Sequence, residues 1–279
     1  MDAAFALYRQ HFVVLATACA AAFFPYIVLR FVRFEPANTL KINAEMFAML
    51  ALGLACTAVA SAAIITVASR GVLGERLDAG EALRGVMGKL PAILAATLGK
   101  YVLITLWAVA ALIPAALLVT VVVAVLVGMK LLTLQPNAAL VAAISIALGI
   151  VSLAAALLLI TRFFAVTQAL LIEHTSIGAS FRRSAQLAKG ERKRILGVIG
   201  LPLIVYVICQ LMLTKLLQYL TGSSMVAEAV SQVFTICAYP LLGVIGTLLY
   251  YDIRVRKEAY DLELMARELA AAPPPDAAT

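Results

Sequence analysis

The side chains that could carry acid–base, nucleophilic or metal chemistry are few in this sequence. The 279 residues include two histidines, four cysteines and 15 carboxylates. No carboxylate falls near the middle of a long apolar run; Glu173, Glu228 and Asp252 all stand at run ends. Paired acids for general acid–base work or aspartyl proteolysis are therefore missing. His11 and His174 lie at run boundaries without a second ligand at helical spacing, which predicts interfacial histidines rather than a metal site. Cys19, Cys56, Cys209 and Cys237 sit inside apolar runs, unpaired in spacing, and read as small packing residues. No G-x-S-x-G, H-E-x-x-H or P-loop pattern occurs. The sequence thus predicts no catalytic residue, no metal and no cofactor. A proton-coupled carrier, which needs an Asp, Glu or His relay at depth, is disfavoured on the same ground.

The cations offer more. Lys100 lies 30 residues before Lys130, and Arg162 lies 25 residues after Asn137. As helices these lengths are about 45 and 38 Å, which places both cations at a similar depth on adjacent helices. The plain reading is snorkelling to lipid headgroups. The sharper one is a phosphate-binding corner completed by Arg182 and Arg183. Arg192, Lys193 and Arg194 follow Glu191 directly before a long apolar run. They read as a positive-inside stop and an anionic-headgroup contact.

The elements that must position these groups follow from composition. The chain is 64% hydrophobic and 13% charged, against roughly 25% charged in soluble domains. The predicted fold class is all-α: a polytopic membrane protein with six transmembrane helices plus short amphipathic in-plane helices. The six apolar segments run from Phe12 to Val32, Phe47 to Ala68, Pro91 to Gly128, Ala138 to Ile172, Ile195 to Tyr219 and Ala229 to Tyr251. The first is long enough to span, so no cleavable signal peptide is expected. The third holds 38 residues; at about 57 Å it is too long for one perpendicular crossing. Met129 to Asn137 makes the turn before the fourth.

With the N-terminus inside, fifteen Lys and Arg fall in inner segments and five in outer loops. Both termini are thus expected in the cytoplasm. The net charge of +7 is concentrated in these short loops without interleaved aromatics. It reads as a topology signal, not as nucleic-acid affinity.

Three inner stretches share a pattern: Asp2 to Phe12, Asp78 to Leu90 and Ser176 to Lys189. Each opens on a capping residue, and Asp78 with Glu81 has capping-box spacing. Leu83, Val86, Met87 and Leu90 are expected to share one face. Ile177, Phe181, Ala185 and Ala188 are expected on another, opposite Arg182, Arg183 and Lys189. Gly190 stops the third stretch. Each would lie in the headgroup plane, giving three units of one in-plane helix and one hairpin.

The chain leaves its last apolar run through LLYYDIRVRKEAYDLELMA, Leu248 to Ala266. Tyr250 and Tyr251 read as interfacial belt residues. Asp252 is set to pair with Arg256 at i,i+4. Val255, Ala259, Leu262, Ala266 and Leu269 form one apolar stripe; Ile253, Tyr260 and Leu264 form a second. The exit, with Asp252, Arg254, Arg256, Lys257, Tyr260 and Leu264, is therefore a candidate docking helix. Residues 1–257 are read as the membrane domain, and 258–279 as a cytoplasmic helix with a disordered Ala/Pro tail.

Two stretches, Thr161 to Val198 and Leu248 to Ala266, resemble the membrane domain of bacterial glycerophosphoryl diester phosphodiesterases. The matching positions are Arg162, Glu173, Ala179-Ser180-Phe181, Ser184, Leu187, Gly190, Tyr251-Asp252, Arg254, Arg256-Lys257-Glu258 and Asp261-Leu262. Lys193 departs from that pattern, standing where an aromatic is usual. The resemblance implies a multi-pass protein of the bacterial inner membrane. Hydrolysis in fused members belongs to a separate barrel with His, paired Glu and a divalent metal. Only 28 residues follow Tyr251, so phosphodiesterase activity is not expected. The predicted function is a non-enzymatic membrane scaffold or accessory domain. Its expected partners are the bilayer, anionic phospholipid headgroups and a protein at the cytoplasmic face. The alternative is a transporter or channel for a lipid or small solute.

Overall fold

A computed structural model describes residues 2–32, 44–75, 77–128, 138–258 and 262. Every described element is helical: α1 Asp2–Gln10, α2 Phe12–Val32, α3 Ala44–Val72, α4 Ala79–Met87, α5 Leu90–Gly128, α6 Ala138–Arg162, α7 Val166–Ile172, α8 Ile177–Ala188, α9 Arg192–Ile195, a π turn Leu196–Gly200, α10 Leu201–Thr221 and α11 Ser224–Glu258. Among the described residues, five stretches are long and apolar enough to cross a membrane: Phe12–Phe31, Phe47–Val72, Leu90–Leu117, Arg192–Thr221 and Ser224–Glu258. The 129–137 turn, Tyr260, Leu264 and the Ala/Pro tail lie outside the described residues.

The centre is α3, packed on two faces. One face meets α2 and α11, burying Cys56, Ala60, Ile64 and Ala68 against Leu15, Cys19, Phe23, Val244 and Ile245. The other presents Ala58, Ala62 and Ala63 to Ile93, Ala96, Phe163, Val166 and Leu170. Small side chains let these backbones approach closely where lipid supplies no hydrophobic drive.

The excess length of α5 has a structural origin. Its buried residues are Ile93, Ala96 and Thr97, all within the first turns. A Cβ on Gly99 would lie 3.4 Å from Phe181 of α8. The start of α5 thus belongs to the layer of short helices, and beyond Gly99 none of its described residues is buried. The fourth apolar segment, expected as one helix, is interrupted between α6 and α7. The Ala165 N–H donates to Ser184 Oγ at 3.1 Å, and that hydroxyl donates to the Arg162 carbonyl at 2.9 Å. One fully buried serine therefore satisfies a donor and an acceptor that the break exposes. Ser184→Ala is expected to cost about 1–3 kcal/mol. This would be read as a lowered unfolding midpoint in detergent; an unchanged midpoint would show that the break stands without it.

Two caps match expectation. The Asp78 carboxylate accepts from the Gly80 N–H at 3.3 Å, and Ser176 Oγ from the Ala179 N–H at 3.4 Å. Gly190, at φ +87°, follows α8 in the left-handed region where glycine is unstrained. The expected apolar faces need correction. In α4 the buried residues are Ala82 and Val86, whereas Met87 is exposed. In α8 they are Ser180, Ser184, Leu187 and Ala188, whereas Ile177 is exposed. Ser184 is buried in α8 because it bonds the backbone at the α6–α7 break.

Helix α1 does not stay at the charged end of α11. The Tyr8 hydroxyl donates to the Cys237 carbonyl at 2.6 Å. Cys237 precedes Asp252 by 15 residues, about 22 Å along a helix. The receiving site adjoins Pro240, which lacks an N–H and so leaves the Ile236 carbonyl without its usual donor.

Helix α10 has no buried residue. It is held to α11 by a polar seam. Tyr206 donates to Thr235 at 3.4 Å, Gln210 Nε2 donates to the Ser231 carbonyl at 3.4 Å, and the Thr214 and Ser231 hydroxyls lie 2.5 Å apart. Tyr206 also stacks on Phe234, with ring centroids 5.9 Å apart.

Candidate functional site

The charged exit of α11 folds back on the chain's own short helices. Glu173, just past α7, is the hub. Its two carboxylate oxygens accept from Arg183 Nε at 3.1 and 2.9 Å. The Tyr250 hydroxyl donates to one of them. Arg254 Nε lies 3.5 Å from Glu173 and 3.3 Å from Glu258. Arg183 reaches Glu258 through both terminal nitrogens, each at 2.5 Å. Hydrogen bonding to Glu258, and then to Glu173, pushes the Arg183 pKa above its ordinary value. Glu173 and Arg254 side chains are only 14% and 12% exposed, so these charges interact in a reduced dielectric.

Two further ties complete the joint. Lys257 Nζ donates to the carbonyls of Gln186, Leu187 and Lys189 at 3.2, 2.9 and 2.6 Å. It thereby caps the carbonyl end of α8, where a cation is favoured. Asp252 lies 2.6 Å from Arg194 Nη2 and 3.2 Å from Arg256 Nε. The Asp252–Arg256 pair is the expected i,i+4 contact.

The candidate residues thus divide into two sets. Arg183, Arg194, Arg254 and Lys257 are neutralised or used as caps within the chain. Arg183 was expected on the exposed face of α8; it turns inward because two carboxylates converge on it. Tyr250, expected at the membrane interface, is fully buried with its hydroxyl on Glu173. By contrast, Arg162, Arg182, Arg192 and Lys193 are exposed, and none has a described carboxylate within ion-pair distance. Arg256 is 60% exposed even in its pair. Val255 and Leu262, from the first apolar stripe of the exit, are also exposed.

The expected corner is partly assembled. The Phe163 and Phe181 rings meet edge-on at 5.6 Å, and Phe181 abuts Gly99. Lys100, Arg162 and Arg182 each stand one residue from that contact. The Arg162 guanidinium lies 5.8 Å from the Phe163 ring. Between the neighbouring loops, Lys89 Nζ approaches His174 Nδ1 to 2.5 Å. His174 holds a positive φ of 52°, unusual for a non-glycine residue. The His174 backbone carries no signal in the sequence, and Ser184 is marked there by the resemblance alone, without its role at the break. Thr66 and Thr120 of the long helices bond locally, to the Ala62 and Ala116 carbonyls, whereas Gln210 bonds across the α10–α11 seam to Ser231.

Glu173, Ser184, Leu187, Asp252, Arg254, Lys257 and Glu258, drawn from two distant stretches of sequence, therefore meet in one joint between α7, α8 and α11. No family model, curated protein or solved structure matches the chain.

Proposed function

We propose that this protein is a non-enzymatic scaffold or accessory domain of the bacterial inner membrane. In this reading six helices cross the bilayer, both termini are cytoplasmic, and the inner rim contacts anionic phospholipid headgroups and a protein partner. The division of cations is the observation that carries it. Cations facing the protein are matched by Glu173, Asp252 and Glu258, whereas Arg162, Arg182, Arg192 and Lys193 face outward without a described counterion. Basic groups so placed next to apolar helices favour anionic headgroups by about 1 kcal/mol each near the surface. The resemblance to the glycerophosphoryl diester phosphodiesterase membrane domain supports the same reading, because Glu173, Ser184, Leu187, Asp252, Arg254, Lys257 and Glu258 among its positions contribute to the joint. The alternative of a solute conduit draws no support from Thr66, Thr120, Thr214 and Ser231, whose hydroxyls bond to helix carbonyls or to each other.

The test is reconstitution in vesicles of mixed phosphatidylglycerol and phosphatidylcholine, with a spin-labelled lipid reporting the boundary layer. The natural sequence is expected to enrich phosphatidylglycerol at its surface, and added salt should weaken this. Alanine at Arg162, Arg182, Arg192 and Lys193 together should abolish the preference. Equal preference in both proteins would refute the reading.

A further inference from the structure

Two exposed apolar stripes begin where α6 meets α9, and each is headed by a cation. On α6, Ile146, Ile150, Ala154, Leu158 and Arg162 recur every four residues, and all are exposed. Across α9, the π turn and α10, Lys193, Gly197, Leu201 and Val205 recur likewise, and all are exposed. The headed ends are close in space. Ser184 of α8 binds the Arg162 carbonyl, and α9 starts just past the end of α8. Helix α6 packs against α9 and the π turn, whereas α10 is packed against α11 and the π turn. The two stripes therefore share an inner end and diverge from it. Pro202 accounts for the departure: lacking an N–H, it cannot donate to the Val198 carbonyl, and the backbone there is a π turn.

We propose that this wedge holds one anionic phospholipid. Its phosphate would rest on Arg162, Arg192 and Lys193, and its two acyl chains would follow the stripes of α6 and α10. The match is one of shape and charge: one anion joined to two apolar tails, against one cationic corner joined to two apolar stripes. Guanidinium groups bind phosphate oxygens in a bidentate manner and so fix orientation as well as charge. The inference rests on the inner rim meeting anionic headgroups, but it requires one retained molecule, not a diffuse preference.

Native mass spectrometry of the full chain in detergent tests it, with phosphatidylglycerol, phosphatidylcholine and glycerol 3-phosphate as probes. One phosphatidylglycerol is expected to remain bound under activation that removes phosphatidylcholine. Arg162→Ala and Arg192→Ala should each weaken its retention roughly fivefold. Ala154→Trp leaves every cation in place and fills the α6 stripe; it should also lose the lipid. The proposal is overturned if phosphatidylcholine is held equally, if glycerol 3-phosphate displaces the lipid at comparable concentration, or if Ala154→Trp retains it. Boundary enrichment without a one-to-one complex would defeat the wedge alone; loss of both would defeat the headgroup reading as well.

Discussion

Glu173→Ala is expected to destabilise the protein by about 3–5 kcal/mol, because it removes one of the two carboxylates shared by two cations that are largely removed from water. Arg183 and Arg254 would keep Glu258, but one carboxylate cannot replace the geometry of two. The buried Tyr250 hydroxyl would lose its acceptor as well. The loss should appear as a lowered unfolding midpoint in detergent and as faster hydrogen exchange along α8. Glu173→Gln should fall between, since its amide oxygen can still accept from Tyr250 while the charge is gone. The exposed Arg70–Glu75 pair supplies the comparison. Its side chains are 54% and 51% exposed, and Arg70→Ala should cost under about 1 kcal/mol. If the two substitutions prove equally mild, the joint is not holding α8 to α11.

Gly243→Ala should also destabilise, by about 1–3 kcal/mol. In an ordinary helix position this change is favourable by up to about 1 kcal/mol, so the sign itself is diagnostic. A Cβ at Gly243 would lie 2.6 Å from Ile64 Cγ2 and 3.3 Å from Ile64 Cβ. Ile64 is fully buried in α3 and branched at Cβ, which holds χ1 stiff in a helix, so the Cγ2 methyl cannot easily swing away from the overlap. Ile64→Ala alone creates a cavity and should cost about 2–5 kcal/mol. Together the two changes should cost clearly less than their sum, because the alanine methyl at 243 occupies space that Ile64 vacates. Additive losses, or a Gly243→Ala protein as stable as the parent, would show that α3 and α11 do not meet this closely.

Much of this architecture is legible in the sequence, for reasons specific to each element. The long helices show themselves because lipid demands uninterrupted apolar stretches. The short ones are announced by Asp78, Ser176 and Gly190, whose local hydrogen bonds and φ freedom act over a few residues. The α6–α7 break carries no such mark. Neither proline nor glycine occurs in Thr161-Arg162-Phe163-Phe164-Ala165, and the residue that stabilises the break, Ser184, lies 19 positions later. The faces of α4 and α8 were misread for a related reason. An amphipathic pattern is expected to bury its apolar groups alone, but α8 buries Ser180 and Ser184 together with Leu187 and Ala188, and leaves Ile177 exposed. At the candidate site, charge type was readable and charge partner was not. Nothing local distinguishes Arg182 from Arg183, yet one faces outward and the other is held by carboxylates 10 and 75 residues away. The Asp252–Arg256 pair was readable because both members lie within one helical turn.

The bond from Tyr8 to the Cys237 carbonyl also orders events in time. Its two ends are separated by 229 residues. At 5–20 residues per second, a ribosome needs roughly 10–45 s to make that interval. Through all of it α1 has been synthesised, but the carbonyl that receives its tyrosine has not. The tie from α1 to α11 can therefore form only after α11 is made, and a nascent chain stalled anywhere before Cys237 leaves Tyr8 without that acceptor. Protease access to α1, followed on ribosome-bound chains of increasing length, would show the moment of closure.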